Sequence, residues 1–332
     1  MANPVPVPAE FIDFIKTGSK FLIAGHEEPD GDCVGSQLAL ASALRRLGKE
    51  AFPCSAGPFK RTEVAGYAPR FISSPGEKER RDARVIIVDC GAFDRIGSLA
   101  SPLRGLPLGI VDHHAVGSLP RGDRDNPVFL DSGAPSTTFM ILELIEALGL
   151  SPNGEEANLL LFGLCTDTGF FRHLDEGGAE AFIRAARLIR AGGNPKQVFN
   201  AITGGKSFNS RVLLGIQLSR AEEYFGGKLI YTCEKYEETQ RFGLEGRDSD
   251  SLYQLLLAVA GTEAVAVIRQ ENQKKCTVGL RSRDRVNVAA IAAGFGGGGH
   301  KNAAGFSREG ALIEELKPEL IAAFEKVFAQ GE

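Results

Sequence analysis

Long apolar runs are missing from this sequence. No stretch of about 18 consecutive apolar residues occurs, the length a membrane-spanning helix needs, so no membrane partner is expected. A basic excess is missing too. Lys and Arg total 38 against 42 Asp and Glu, a formal charge of -4. Proteins that grip long nucleic acid by its phosphates carry a positive excess, so the balance excludes a long polymer as the main partner and favours a short or small anionic one. Cysteine pairs are absent: Cys33, Cys54, Cys90, Cys165, Cys233 and Cys276 lie far apart and none forms Cys-x-x-Cys. That excludes a thiolate zinc site or a disulfide framework and predicts reduced thiols. The N-terminal Met-Ala-Asn-Pro-Val-Pro-Val-Pro-Ala-Glu-Phe has neither a basic start nor a sustained apolar core, so no signal peptide is expected and the location predicted is cytoplasmic. Also absent is Gly-x-Gly-x-x-Gly after the first apolar run, where the chain has Gly25-His26-Glu27-Glu28-Pro29-Asp30-Gly31-Asp32. Carboxylates there exclude a pyrophosphate-binding dehydrogenase.

What is present is alternation. Phe21–Ala24, Val85–Val88 and Leu108–Val111 read as short buried strands. Helical patterns follow over Val34–Leu47, Thr137–Leu148 (capped by Ser136), Glu155–Cys165 and Ala179–Arg190. Strands alternating with helices predict an α/β fold with a mainly parallel sheet covered by helices on both faces. Gly, Asn, Pro, Lys and Ser cluster from Gly192 to Ser210, and a helical pattern over Arg211–Tyr224 follows; this reads as a hinge with a connecting helix. Beyond it, strand patterns at Lys228–Cys233, Ala264–Arg269 and Cys276–Ser282 and helices at Ser251–Ala260, Val288–Phe295 and Ala311–Ala329 predict a smaller α/β domain. The expected division is 1–195, a hinge over 196–224, and 225–332.

Four segments of the first domain carry metal-friendly groups: His26, Asp30 and Asp32 after the first strand, Asp89 after the second, Asp112-His113-His114 after the third, and Asp167 after a helix. In an open parallel sheet the carboxyl ends of the strands line one edge, where ligands bind. Three of the five histidines and four aspartates lie at strand-end positions, so convergence on a metal site outweighs the reading of each residue alone as a turn or cap. Imidazoles with carboxylates form a hard nitrogen and oxygen set suited to Mn²⁺ or Mg²⁺, with zinc and cobalt as competitors.

These motifs also carry a resemblance. His26-x-x-x-Asp30-x-Asp32 with Gly35-Ser36, then Asp89, Asp112-His113-His114 and Thr166-Asp167-Thr168-Gly169, is similar to the DHH phosphoesterase superfamily. Gly296-Gly297-Gly298-Gly299-His300 before Ala303-Ala304-Gly305, preceded by Arg281-Ser282-Arg283, resembles the DHH-associated C-terminal domain. Length and domain content resemble the bacterial nanoRNase/pAp phosphatase group rather than the longer RecJ exonucleases. Cys33 stands where that superfamily often has Ala and is read as too small to disturb metal binding.

The resemblance implies a ligand set. His26, Asp30 and Asp89 would hold one divalent ion; Asp32, Asp89, His113 and Asp167 would hold a second, with Asp89 bridging. Mn²⁺ is the expected ion, Mg²⁺ or Co²⁺ the alternatives. Asp112 would orient an imidazole and His114 would face the substrate phosphate. In the second domain Arg281, Ser282, Gly298, Gly299 and His300 would bind a phosphate. The implied activity is hydrolysis of short oligonucleotides, dinucleotides or 3'-phosphoadenosine 5'-phosphate (pAp). A pyrophosphatase-like hydrolase and a non-catalytic nucleotide sensor are the alternatives, and a homodimer is left open.

Overall fold

The computed structural model describes residues 5–114, 126–174, 178–283 and 285–329; the first four residues of the N-terminal stretch read above lie outside these. Two compact units divide the chain, Met1–Gly205 and Lys206–Glu332.

The first unit holds a five-stranded, all-parallel sheet. Its strands are β1 (Lys20–Ala24), β2 (Glu50–Cys54), β3 (Arg84–Val88), β4 (Leu108–Asp112) and β5 (Val128–Leu130), in the order β2-β1-β3-β4-β5. Successive side chains on a strand point to opposite faces, and both faces are buried here. Phe21, Ile23, Ile86, Val88 and Val111 enter one core with the Gly31–Arg46, Thr137–Ala147 and Gly154–Asp167 helices. Leu22, Ala24, Val85, Ile87 and Ile110 enter the other. Covering both faces is what makes near-continuous apolar runs the right sequence for these strands.

The strand order reverses between β1 and β3, and at such a switch point the two following loops part and leave a crevice at the carboxyl ends. Ala24 pairs with Ile87, and Ile87 with Ile110. Two residues further along the same registers stand His26, Asp89 and Asp112. The fold therefore brings the three segments together at one edge.

Two strands differ from the sequence reading. β2 is not among the strands read from the sequence; it contains Pro53, which is tolerated because β2 is the edge strand, where a missing N–H costs no ladder bond. β5 is only three residues long. The Gly192–Ser210 stretch is not simply a hinge: it contains the Pro195–Thr203 helix, whose start is capped by the Asn194 side chain and whose Val198 is buried.

The second unit holds β6 (Glu222–Tyr224), β7 (Leu229–Glu234), β8 (Ala264–Asn272), β9 (Lys275–Ser282), β10 (Gly298–His300) and β11 (Ala303–Glu309), in the order β10-β11-β9-β8-β7-β6. Only β7 and β8 pair in parallel. The helix expected over Arg211–Tyr224 runs from Phe208 to Ser219; Glu222–Tyr224 instead pairs with Leu229–Tyr231 as a hairpin. No helix of the described residues is long and apolar enough to cross a membrane.

Candidate metal centre

The Gly31–Arg46 helix begins three residues before the point where its apolar periodicity starts. Asp30 is the reason: its Oδ1 accepts from the backbone N–H of Asp32 and of Cys33, both at 3.1 Å. Such a cap satisfies two of the four orphan donors at a helix start. It also fixes Asp30 at the cap and Asp32 two residues on, in the first turn of the helix. Asp32 is fully buried, because this helix lies close against the Gly154–Asp167 helix. A Cβ at Gly35 would come within 2.5 Å of the Leu159 carbonyl oxygen, and one at Gly163 within 2.4 Å of Thr138 Cγ2. Those two glycines permit the approach. The Gly154–Asp167 helix ends on Asp167 rather than at Cys165 as expected, so the carboxylate leaves from its last turn.

A buried carboxylate needs donors, and Asp32 has three. The N–H groups of Thr137 and Thr138 reach it at 2.6 and 2.8 Å, and Thr138 Oγ1 donates at 2.6 Å. These come from the first turn of the Thr137–Ala147 helix, where unpaired N–H groups favour an anion. Thr137 Oγ1 donates to Asp89 Oδ1 at 3.1 Å. Sequence reasoning missed both threonines; only the Ser136 cap, which accepts from the Phe139 N–H, was legible.

Asp89 sits at the centre. Its φ is +61°, a left-handed conformation uncommon outside glycine and most tolerated by Asn and Asp. Strain of this kind persists where the surroundings over-determine it. Asp89 Oδ2 lies 3.4 Å from His26 Nε2, and Asp89 Oδ1 lies 3.7 Å from His113 Nε2. The two oxygens of one carboxylate thus face two different imidazoles. Around them, Asp30 Oδ1 is 3.8 Å from His26 Nε2, while Asp32 Oδ2 and Asp167 Oδ2 are 3.9 and 3.1 Å from His113 Nε2. All six residues expected as metal ligands are therefore brought together.

Both imidazoles are aimed by their second nitrogen. His26 Nδ1 lies 2.7 Å from the Glu27 carbonyl oxygen and His113 Nδ1 3.2 Å from that of Ala134. A carbonyl only accepts, so each Nδ1 carries hydrogen and each Nε2 is turned to the carboxylates, the arrangement that orients metal-binding histidines. His113 Nε2 is buried and has no hydrogen-bond partner among the described residues. A buried nitrogen without a partner, facing three carboxylates, fits a divalent cation.

Electrostatics agree. Burial alone would lower His26, yet hydrogen bonds to Asp30 and Asp89 raise it to about 10. His113 is likewise raised to about 10, burial being outweighed by Asp167 and Asp32. Asp32 is held well above the usual carboxylate range by burial and by Asp89 and Asp167, and Asp89 is raised chiefly by burial. Four carboxylates repel one another unless cations stand between them.

His114 plays another part. Its Nδ1 is 2.7 Å from Asp112 Oδ1, which also accepts its backbone N–H at 3.1 Å. Asp112 is buried, whereas the His114 side chain is 48% exposed. The carboxylate fixes the proton on Nδ1 and raises the His114 pKa. The other ring edge is left for a ligand. Asp112→Asn should lower kcat by about 10- to 100-fold, the usual cost of losing an orienting partner. The loss should appear with metal content intact; steady-state kinetics beside elemental analysis would check it.

Cys33, read as too small to disturb metal binding, has its Sγ within 4.8 Å of ligand atoms of His26 and Asp89, beside the first expected ligand set. Cys90 and Cys165 are buried in the two cores flanking the sheet.

Comparison with known proteins agrees with this geometry. Residues 20–164 match the DHH family, N-terminal domain, and residues 226–330 the DHHA1 domain. A Thermus thermophilus protein named bifunctional oligoribonuclease and PAP phosphatase NrnA is 33% identical over 303 residues, covering 91% of this chain and 88% of the relative. The chain belongs to the DHH family. It is thereby a hydrolase of the DHH phosphoesterase type. A Bacillus subtilis protein of the same name is 26% identical over 307 residues, spanning 90% of this chain and 92% of that one. In fold, the chain is similar to an exopolyphosphatase-related protein from Bacteroides fragilis, with a TM-score of 0.77 at 20% identity over 99% of this chain and 98% of that one.

The DHHA1 domain carries the remaining expected site residues. Residues directly paired across an antiparallel sheet share a face. His300 on β10 pairs with Ala303 on β11, which pairs with Arg281 on β9. The neighbouring row is Gly298, Gly305 and Gly279. Arg281 and His300 thus stand on one face, two strands apart, beside a floor without side chains. The glycine-rich segment Gly296–His300 is in part this edge strand. Ser282 is buried, and its hydroxyl donates to the Val286 carbonyl at 2.6 Å. Gly299 has φ +144°, and a Cβ there would meet the Ala303 carbonyl oxygen at 2.5 Å, so this position within β10 requires glycine.

Proposed function

We propose that this DHH-family chain hydrolyses phosphate esters of short oligonucleotides and of pAp with two divalent ions, manganese by preference. The observation that carries this reading is Asp89, whose two oxygens face His26 on one side and His113 on the other. His26, Asp30 and Asp89 would hold one ion; Asp32, Asp89, His113 and Asp167 the other. Held there, two ions would supply Lewis acidity toward a phosphoryl oxygen and toward a water nucleophile. The protein's part is to keep the donors fixed, through the Asp30 cap, the Thr137 and Thr138 donors to Asp32 and Asp89, and the carbonyls behind both imidazoles. His114, charged more readily because of Asp112, offers a cation to the phosphate oxygens that gain charge as the ester is cleaved.

The substrate class draws support from three sources. The relatives of this length are named for oligoribonuclease and PAP phosphatase activity. The net charge of -4 gives no overall basic excess to draw in a long strand. Arg281, Gly298, Gly299 and His300 are assigned to the substrate's far phosphate, with Arg281 the principal charge; Ser282, also expected there, has its hydroxyl buried and donating to the Val286 carbonyl, and it fixes the end of β9 instead. On this reading Arg281→Ala weakens binding of pAp and dinucleotides by about 1.5–3 kcal/mol, the value of a hydrogen bond to a charged group. Hydrolysis of a small artificial diester that lacks the far phosphate should change far less. Steady-state KM values on both substrates would show it, and equal losses would remove Arg281 from this role.

The test of the activity is one panel. The Mn²⁺-loaded protein is given pAp, pyrophosphate, and RNA and DNA oligomers from two nucleotides upward, and initial rates are compared. Fast turnover of pAp and of two- to four-nucleotide oligomers supports the reading. Turnover of pyrophosphate alone makes the chain a pyrophosphatase, and no turnover of any substrate makes it a nucleotide sensor.

A further inference from the structure

We infer that Tyr253 is a positioning residue for the phosphate contact of Arg281: its ring holds the Arg281 guanidinium in place, and the glycine at position 279 admits that ring. This rests on the assignment of Arg281 to the far phosphate. The Arg281 guanidinium lies over the Tyr253 ring, 4.8 Å from its centroid. Tyr253 is buried, on the Ser249–Leu257 helix that covers this face of the sheet with Leu252 and Leu256. Its hydroxyl has no hydrogen-bond partner among the described residues, so packing alone fixes the ring. Beneath the hydroxyl lies Gly279, two residues before Arg281 on β9 and therefore on the same face. A Cβ at position 279 would come within 2.1 Å of the Tyr253 hydroxyl oxygen. Glycine inside a strand weakens it and commonly marks a close approach; here the approaching group is this ring.

Two arginines share the ring, and they differ. Arg269 lies 6.0 Å from the centroid and is committed elsewhere, with its Nη2 donating to Ser249 Oγ at 3.0 Å and its Nε 3.7 Å from the buried Glu234 carboxylate. Arg281 forms no salt bridge among the described residues; its Nη1 donates to the Leu280 carbonyl at 2.9 Å. The charge on Arg281 is therefore not neutralised by protein, and its position is set by an aromatic face. Cations stack on such faces without losing their in-plane donors. A guanidinium held this way keeps its donors turned to a phosphate at a set place on this face of the sheet, whereas an arginine on an unsupported stem loses side-chain entropy when it binds.

The test compares Arg281→Ala, Tyr253→Phe, Tyr253→Leu and the Arg281→Ala/Tyr253→Leu double variant in the full Mn²⁺-loaded chain. Readouts are KM and kcat on pAp and a dinucleotide, kcat/KM on an artificial diester without a far phosphate, and thermal midpoint. Tyr253→Leu should raise KM for pAp and the dinucleotide about 5- to 30-fold with kcat within twofold and with the artificial diester little changed. Tyr253→Phe, which keeps an aromatic face, should stay within about threefold of the parent, and the double variant should be no worse than Arg281→Ala. Should Tyr253→Leu not fold, Tyr253→Met and Gly279→Ala carry the same expectation. An unchanged KM in Tyr253→Leu, or a loss equal on all substrates, overturns the positioning role while leaving Arg281 assigned. An unchanged KM in Arg281→Ala overturns the phosphate assignment, and this inference with it.

Discussion

Asp89→Ala should abolish hydrolysis, lowering kcat by at least about a thousandfold, because a group shared by two charge-stabilising ions contributes more than a single oxyanion donor does. The expectation follows from position. Every other proposed ligand touches one side of the cluster, but Asp89 faces His26 at 3.4 Å and His113 at 3.7 Å. Removing it loosens both metal positions and also strands the Thr137 hydroxyl that donates to it. Asp30→Ala, by contrast, removes one ligand and a helix cap, so it should cost metal at one position and add a destabilisation of about 1 kcal/mol. The measurement is kcat beside metal content by elemental analysis, with a thermal midpoint to show that the variant is folded. Asp89→Asn separates charge from shape, since it preserves the side-chain volume at the strained φ. Full activity of either variant would remove the shared carboxylate from the account.

The second large effect is proton competition for the metals. Without metal, His26 and His113 both titrate at about 10, because nearby carboxylates outweigh the effect of burial. Both are therefore protonated at neutral pH, and each ion must displace a proton from Nε2 to bind. The sign follows. Raising the pH removes the competitor, so Mn²⁺ affinity should tighten from pH 6.5 to pH 8.5, by about tenfold per pH unit for each proton displaced. Asp30, lowered to about 2 because the contact with His26 outweighs burial, is already ionised across this range and contributes no slope. Chelation should bring activity to background and Mn²⁺ should restore it. Titrating Mn²⁺ by electron paramagnetic resonance at three pH values would read the slope; a flat affinity would mean that these nitrogens do not take the metal.

Much of the site was legible because its residues lie where strands end. Buried parallel strands are short apolar runs, so their ends are visible, and His26, Asp89 and Asp112 follow them directly. What sets the geometry was less visible. Asp30 is a cap as well as a proposed ligand, and a cap placed before the apolar periodicity begins hides the first turn of its helix. Thr137 and Thr138 follow Ser136 and read as the start of a helix; that their donors serve Asp32 and Asp89 depends on contacts more than 40 residues away in sequence. β2 was hidden by Pro53, because a sequence does not say which strand lies at an edge. In the DHHA1 domain, Arg281 and the glycines were legible as a motif. Tyr253 was not, because one Tyr in a helix beginning Ser-Asp-Ser-Leu-Tyr looks like any core aromatic until the strand register places Gly279 beneath it.

The most direct test of the central claim is anomalous diffraction from crystals of the protein soaked in Mn²⁺, collected at the manganese edge. The account predicts two peaks roughly 3.5–4 Å apart, one among His26, Asp30 and Asp89 and the other among Asp32, Asp89, His113 and Asp167, with Asp89 touching both. A single peak, or two peaks with Asp89 bound to only one, would contradict it.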